Sequence, residues 1–121
     1  MNRITPDDIY RGLPCSIVAL GCALGCADLE TASSLCSDKI KEDGYLSLNG
    51  MNTLIRAHTA VKKVAYFRNG KRPALRDFAH ANEGHRAIIC LFGHFVYFDG
   101  HNYYSFFKNG SDPVVQVWYL D

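Results

Sequence analysis

Residues 13–27, LPCSIVALGCALGCA, carry no charge at all. A run of this length falls short of the roughly 20 apolar residues that a bilayer-spanning helix needs. Pro14 suits the first turn of a helix, where its missing N–H costs nothing. Arg3 and Arg11 upstream and the small residues at the end give the run a superficial likeness to a secretory leader, but Asp7 and Asp8 offset the upstream positive charge. A helix that is apolar on every side has to be covered on every side. The run therefore predicts the buried central helix of a cytoplasmic protein, from Pro14 to about Gly25, with the remaining chain wrapped around it.

The chain has 121 residues, enough for one domain, residues 1–121, with a real core. Hydrophobic residues at 48% and charged residues at 21% fit a soluble globular protein. Before the central run, TPDDIYR combines a Thr N-cap, Pro at the first helical position and acids in the first turn, which predicts one short helical turn. After it, DLETASSLCSDKIKE spaces Leu29, Ala32, Leu35, Cys36 and Ile40 along one helical face and stops at Gly44. NGMNTLIRAH reads as a short helix and AVKKVAYF as a strand. RPALRDFAHAN reads as a helix with Pro73 in an N1-like position, ending at Glu83-Gly84. The pattern then changes to HRAIICLF, HFVYF, NYYSFF and VVQVWYL, short apolar runs cut by turns. Helices first and antiparallel strands last give an α+β fold.

Charge excludes some partners. Thirteen Lys and Arg against twelve Asp and Glu leave +1, and the basic residues form no phosphate-tracking stripe, so neither nucleic acid nor a membrane surface is an expected partner. Lys62-Lys63 and the Arg68, Lys71, Arg72 group flank the Asn69-Gly70 turn signal and read as a solvated loop tip. The five cysteines, at 15, 22, 26, 36 and 90, are an odd number without a disulfide framework, which fits unpaired thiols in a reducing compartment. Cys22 and Cys26 are four apart on a helix, yet no second ligand pair accompanies them, so no metal or other cofactor is expected.

Asp99-Gly100 between two apolar runs signals a two-residue hairpin. Such a turn pairs Phe98 with His101, Val96 with Tyr103 and His94 with Ser105, and opposed residues share a face. His94 and Ser105 are therefore expected as neighbours at the end of the hairpin away from its turn.

A cysteine nucleophile reacts as the thiolate, which the N-terminus of a helix favours through its unpaired N–H groups and dipole. Cys15, one residue after Pro14, has that address. Cys22 and Cys26 lie deeper in the same helix and Cys90 lies mid-strand, where a thiol is inert. Of the five histidines, His58, His80, His85 and His101 occupy helix ends, a strand opening and a turn, all common surface settings. His94 follows Gly93 at the start of the most apolar strand, where an imidazole needs a partner.

PCSIVALGCALG at the start of the first long helix, followed by LRDFAHANEGHRAIICLFGHFVYFDG with a Gly-His opening a hairpin strand, resembles the papain-like cysteine peptidases. The likeness runs over about residues 10–105. It is nearest to the small members: peptidase domains of bacteriocin-processing transporters and short papain-like proteins of bacteriophages, whose viral setting implies the host cytoplasm. The resemblance implies Cys15 as nucleophile and His94 as general base. Two positions depart from the family pattern. The family's Gln before the Cys is missing, the only Gln being Gln116, so the oxyanion hole falls to Tyr10 and the Cys15 backbone N–H. The Asp or Asn that orients the histidine is replaced by Ser105, with Asn109 and Asp112 further along as other candidates.

Two functions stay open. One is a cysteine peptidase or other thiol hydrolase acting on a peptide or isopeptide bond. The other is a papain-like fold without efficient catalysis that binds a protein partner, such as a phage protein acting on a host factor. In either case the partner or substrate is a protein or peptide, and its recognition is expected in the surface loops 43–52 and 68–73.

Overall fold

The computed structural model describes residues 3–25, 28–43, 46–105 and 110–121. A 3₁₀ turn, Pro6–Arg11, opens the chain. It is followed by helices α1 (Cys15–Ala23), α2 (Leu29–Asp43) and α3 (Leu48–His58), strand β1 (Lys63–Tyr66) and helix α4 (Leu75–Ala81). Strands β2 (Ala87–Leu91), β3 (His94–Phe98), β4 (Tyr103–Tyr104) and β5 (Gln116–Tyr119) complete it. The strands form one antiparallel sheet in the order β1-β5-β2-β3-β4. The α+β class follows, with helices on both sides of the sheet.

Each helix starts for a local reason. The Thr5 N–H donates to Asp8 Oδ2 at 2.8 Å, which closes the first 3₁₀ turn around Pro6. Ser47 Oγ accepts from the Gly50 N–H at 2.9 Å and caps α3, so that helix takes up part of the 43–52 segment expected as a loop. Pro73 is not in α4. Its carbonyl accepts from Val114 N at 2.8 Å and Ala74 bridges to Pro113, which holds this stretch extended and delays the helix to Leu75. Gly44 and Cys26 lie outside the described residues.

β2 is buried along its whole length because both faces of the sheet are covered. On one face Ile88, Cys90, Tyr97 and Trp118 pack with α1, α2 and α3. On the other, Ala87, Ile89, Leu91, Val96, Phe98 and Val117 pack with Leu75, Phe78 and Ala79 of α4. α1 occupies the centre of the first layer, with Val18, Ala19, Leu20, Gly21 and Cys22 all buried. Gly21 makes this possible: a Cβ there would collide with the buried side chain of Ile4. Among the described residues, no helix is long and apolar enough to cross a membrane.

The hairpin register differs from the two-residue expectation. Phe98 pairs with Tyr103 and Tyr97 with Tyr104, so residues 99–102 form a four-residue loop. Asp99 is the cause. Its Oδ1 accepts from the N–H groups of His101 and Asn102 at 2.8 and 2.7 Å, which builds a side-chain-closed turn in place of the tight one. The shift is two residues, and side chains alternate with a period of two, so every residue keeps its face.

Candidate active site

Cys15 is the first residue of α1, and the first helical bond runs from Val18 N to Pro14 O at 3.1 Å. The N–H groups of Cys15, Ser16 and Ile17 therefore have no acceptor inside the helix. The Cys15 side chain is half-buried against the core of the helical layer. Burial pushes the Cys90 thiol up to about 11, and the neighbouring Cys15 adds to that rise, while Cys22 acts in the same way on Tyr97. α1 thus runs along β3 with Cys15 toward the end that carries Cys90 and its cross-strand partner Phe95. His94 is the next residue on that strand.

His94 and Ser105 are brought together. His94 Nε2 lies 3.1 Å from Ser105 Oγ, and Ser105 is only 2% exposed. In the observed register Ser105 falls level with Val96, so the bond is diagonal across the end of the hairpin. Asp112 acts on the same imidazole through its charge. Its own carbonyl accepts from Leu75 N at the start of α4. Asn109 lies outside the described residues.

Strand alternation places His94 on the side of the sheet shared by Leu91, Val96 and Phe98, which is the α4 side. Cys15 enters from the α1 side. A path between them runs around the end of the sheet past Phe95 and not across one face. Tyr10 is placed elsewhere. It lines an opening with His101, Asn102, Tyr103 and Tyr104, at the turn end of the β3–β4 hairpin, whereas His94 marks the opposite end.

The remaining histidines, His58, His80, His85 and His101, are exposed, and His101 Nδ1 lies 3.2 Å from Glu83. Cys36 is buried, and burial pushes its thiol up to about 11 against a hydrogen bond from Ser16 that favours the thiolate. Cys15, Cys36 and Cys90 are free thiols. Among the described residues, no three His, Cys, Asp or Glu side chains cluster in a way that would hold a metal ion.

Sequence reasoning did not find the Cys15–Cys90 proximity. Its signal was the place of Cys90 one residue in from the Leu91-Phe92-Gly93-His94 turn, the same sheet end as His94.

Burial lowers the His94 pKa below the usual value of 6.5, and the Asp112 charge opposes this only in part. The imidazole is therefore neutral at pH 7. An unfolded His94 takes up its proton near pH 6.5 and the native one only at lower pH, so protons favour the unfolded chain as pH falls below about 6.5. Urea denaturation across this range is expected to show stability declining toward acid, and His94→Gln is expected to flatten that decline. A wild-type and His94→Gln pair with parallel profiles would contradict the assignment.

No protein-family model matches the chain, and neither a curated protein nor a solved structure matches it.

Proposed function

We propose that this protein is a papain-like thiol hydrolase of peptide or isopeptide bonds, with Cys15 as nucleophile, His94 as general base and Ser105 as the group that orients the imidazole. The observation that carries this reading is the His94–Ser105 bond at 3.1 Å, at the start of the strand along which α1 lies with its Cys15 end toward Cys90.

With Ser105 Oγ accepting from Nε2–H, the basic lone pair resides on Nδ1. A neutral imidazole takes the thiol proton as sulfur attacks the carbonyl carbon. The N–H groups at the start of α1 receive the developing oxyanion. The imidazolium then protonates the leaving amine, and water, deprotonated by the same nitrogen, releases the acyl group from sulfur. Ser105 supplies direction but no charge, and Asp112 supplies charge from further off.

The register favours a second reading. His94 sits on the α4 side of the sheet and Cys15 on the other, and Ser105 is a weaker partner for an imidazolium than a carboxylate. Both fit a fold of this kind that binds a protein without cleaving it. Incubation with a complex peptide mixture, read by mass spectrometry of new termini, separates the two. The hydrolase reading expects cleavage by wild type and none by His94→Ala; a mixture left intact by wild type favours the binding module.

A further inference from the structure

The sheet end that carries Cys90, Phe95 and His94 also gathers the loop after β1 and the segment before β5. Tyr66 pairs with Gln116 and Cys90 with Gln116, so Phe67–Arg72, Pro113–Val115 and the Phe92-Gly93 turn all emerge together. Between them lies a cavity of about 560 Å³ lined by Asn69, Gly70, Arg72, Phe92 and Pro113. It adjoins the site through the chain itself: Phe92 is two residues from His94, and Pro113 follows Asp112.

Two features of its lining are unusual for a solvated loop tip. Phe92 is 65% exposed, a large apolar surface left in water. Arg72 is held over it, with its guanidinium carbon 4.7 Å from the ring centroid. Arg72 Nε donates to the Phe67 carbonyl at 3.0 Å, which fixes the plane of the guanidinium. No residue described engages its two Nη groups. Arg68 and Lys71 sit on the same loop, exposed, and neither forms an ion pair among the described residues. Asp112, which precedes Pro113 in the chain, forms no ion pair with Arg72 among the described residues, and its charge acts on His94.

A fixed guanidinium with open Nη donors matches the two oxygens of a carboxylate, and the apolar lining of Phe92 and Pro113 matches the methylene stem beneath one. We infer that this cavity is a recognition subsite for an acidic side chain, Glu in preference to Asp, in an extended peptide whose neighbouring bond lies toward His94. The inference rests on the hydrolase reading for its direction along the cleft; binding itself does not depend on turnover.

The test uses Cys15→Ser protein, so that no probe is cleaved, and three blocked pentapeptides, Ac-Ala-Ala-X-Ala-Ala-NH₂ with X as Glu, Gln or Lys. Titrations followed by amide NMR are expected to move the Gly70, Phe92 and Gly93 resonances with the Glu peptide. The Gln and Lys peptides should bind about tenfold more weakly or worse. Arg72→Gln should remove the preference for Glu, and Phe92→Ser, at an exposed position the fold does not need, should weaken the Glu peptide while leaving the spectrum native. Equal binding of all three peptides, or shifts confined to Tyr10, Tyr103 and Tyr104, would overturn the subsite. A Glu peptide seated here beside a wild type that cleaves nothing would keep the subsite and sink the hydrolase; cleavage indifferent to Glu would do the reverse.

Discussion

Cys15→Ser is expected, on the hydrolase reading, to lower peptide hydrolysis by at least about 10³-fold while leaving the free energy of unfolding within about 0.5 kcal/mol of wild type. The two halves have separate causes. A hydroxyl is a far weaker nucleophile than a thiol at neutral pH, so the covalent step is lost. The side chain is half-buried at the first position of α1, and Ser nearly preserves its shape, so the fold keeps its contacts. Ser105→Asp gives the converse. A carboxylate facing His94 Nε2 favours the imidazolium, and turnover is expected to rise if Ser105 is the orienting group. No change would move that role to Asp112. The measurement is kcat and KM on a peptide recovered from the mixture cleavage, with denaturation run on the same preparations.

The largest expected loss of stability is at Trp118. Its ring is fully buried against Phe95, with centroids 6.2 Å apart, and its indole N–H donates to Asn52 Oδ1 at 2.8 Å, tying β5 to α3. Trp118→Ala removes the ring and leaves a cavity at the junction of the sheet with the helical layer, at a cost of about 3–5 kcal/mol. Against a total of about 5–15 kcal/mol for a domain of this kind, that is a third or more of the stability. Trp118→Phe keeps most of the volume and forfeits the hydrogen bond, so it should cost about 1–2 kcal/mol. Urea midpoints multiplied by the m-value give both numbers. Equal losses in the two variants would show that the bond to Asn52, and not the ring, holds the layers together.

The central helix was legible because nothing else can be done with fifteen uncharged residues too few to cross a bilayer. The His94–Ser105 neighbourhood was legible for a subtler reason. The expected register was off by two, since the Asp99 carboxylate builds a longer turn, but an even shift keeps faces and left the two residues within a diagonal. An odd shift would have sent Ser105 to the other side. The start of α4 was not legible, because Pro73 pairs with Val114 and Ala74 with Pro113, distant in sequence and invisible to any local pattern. The sides from which Cys15 and His94 approach the sheet end were not legible either. They depend on which core each strand face joins, and that requires α1 and α4 to be seen on opposite layers. Tyr10 lies close to Cys15 in sequence, but that nearness carries no information on its place beside Tyr103 and Tyr104.

The claim that Cys15 and His94 act together is tested most directly by a brief pulse of iodoacetamide at neutral pH, followed by peptide mapping in wild type and His94→Gln. Cys36 and Cys90, both pushed up to about 11 by burial, are almost wholly protonated there and should label slowly. Cys15 is expected to label ahead of both and to slow about tenfold when the imidazole is removed, because the proposed pairing makes that imidazole the acceptor of its proton. A Cys15 rate that stays the same in His94→Gln, or labelling that reaches Cys36 or Cys90 first, would contradict the pairing.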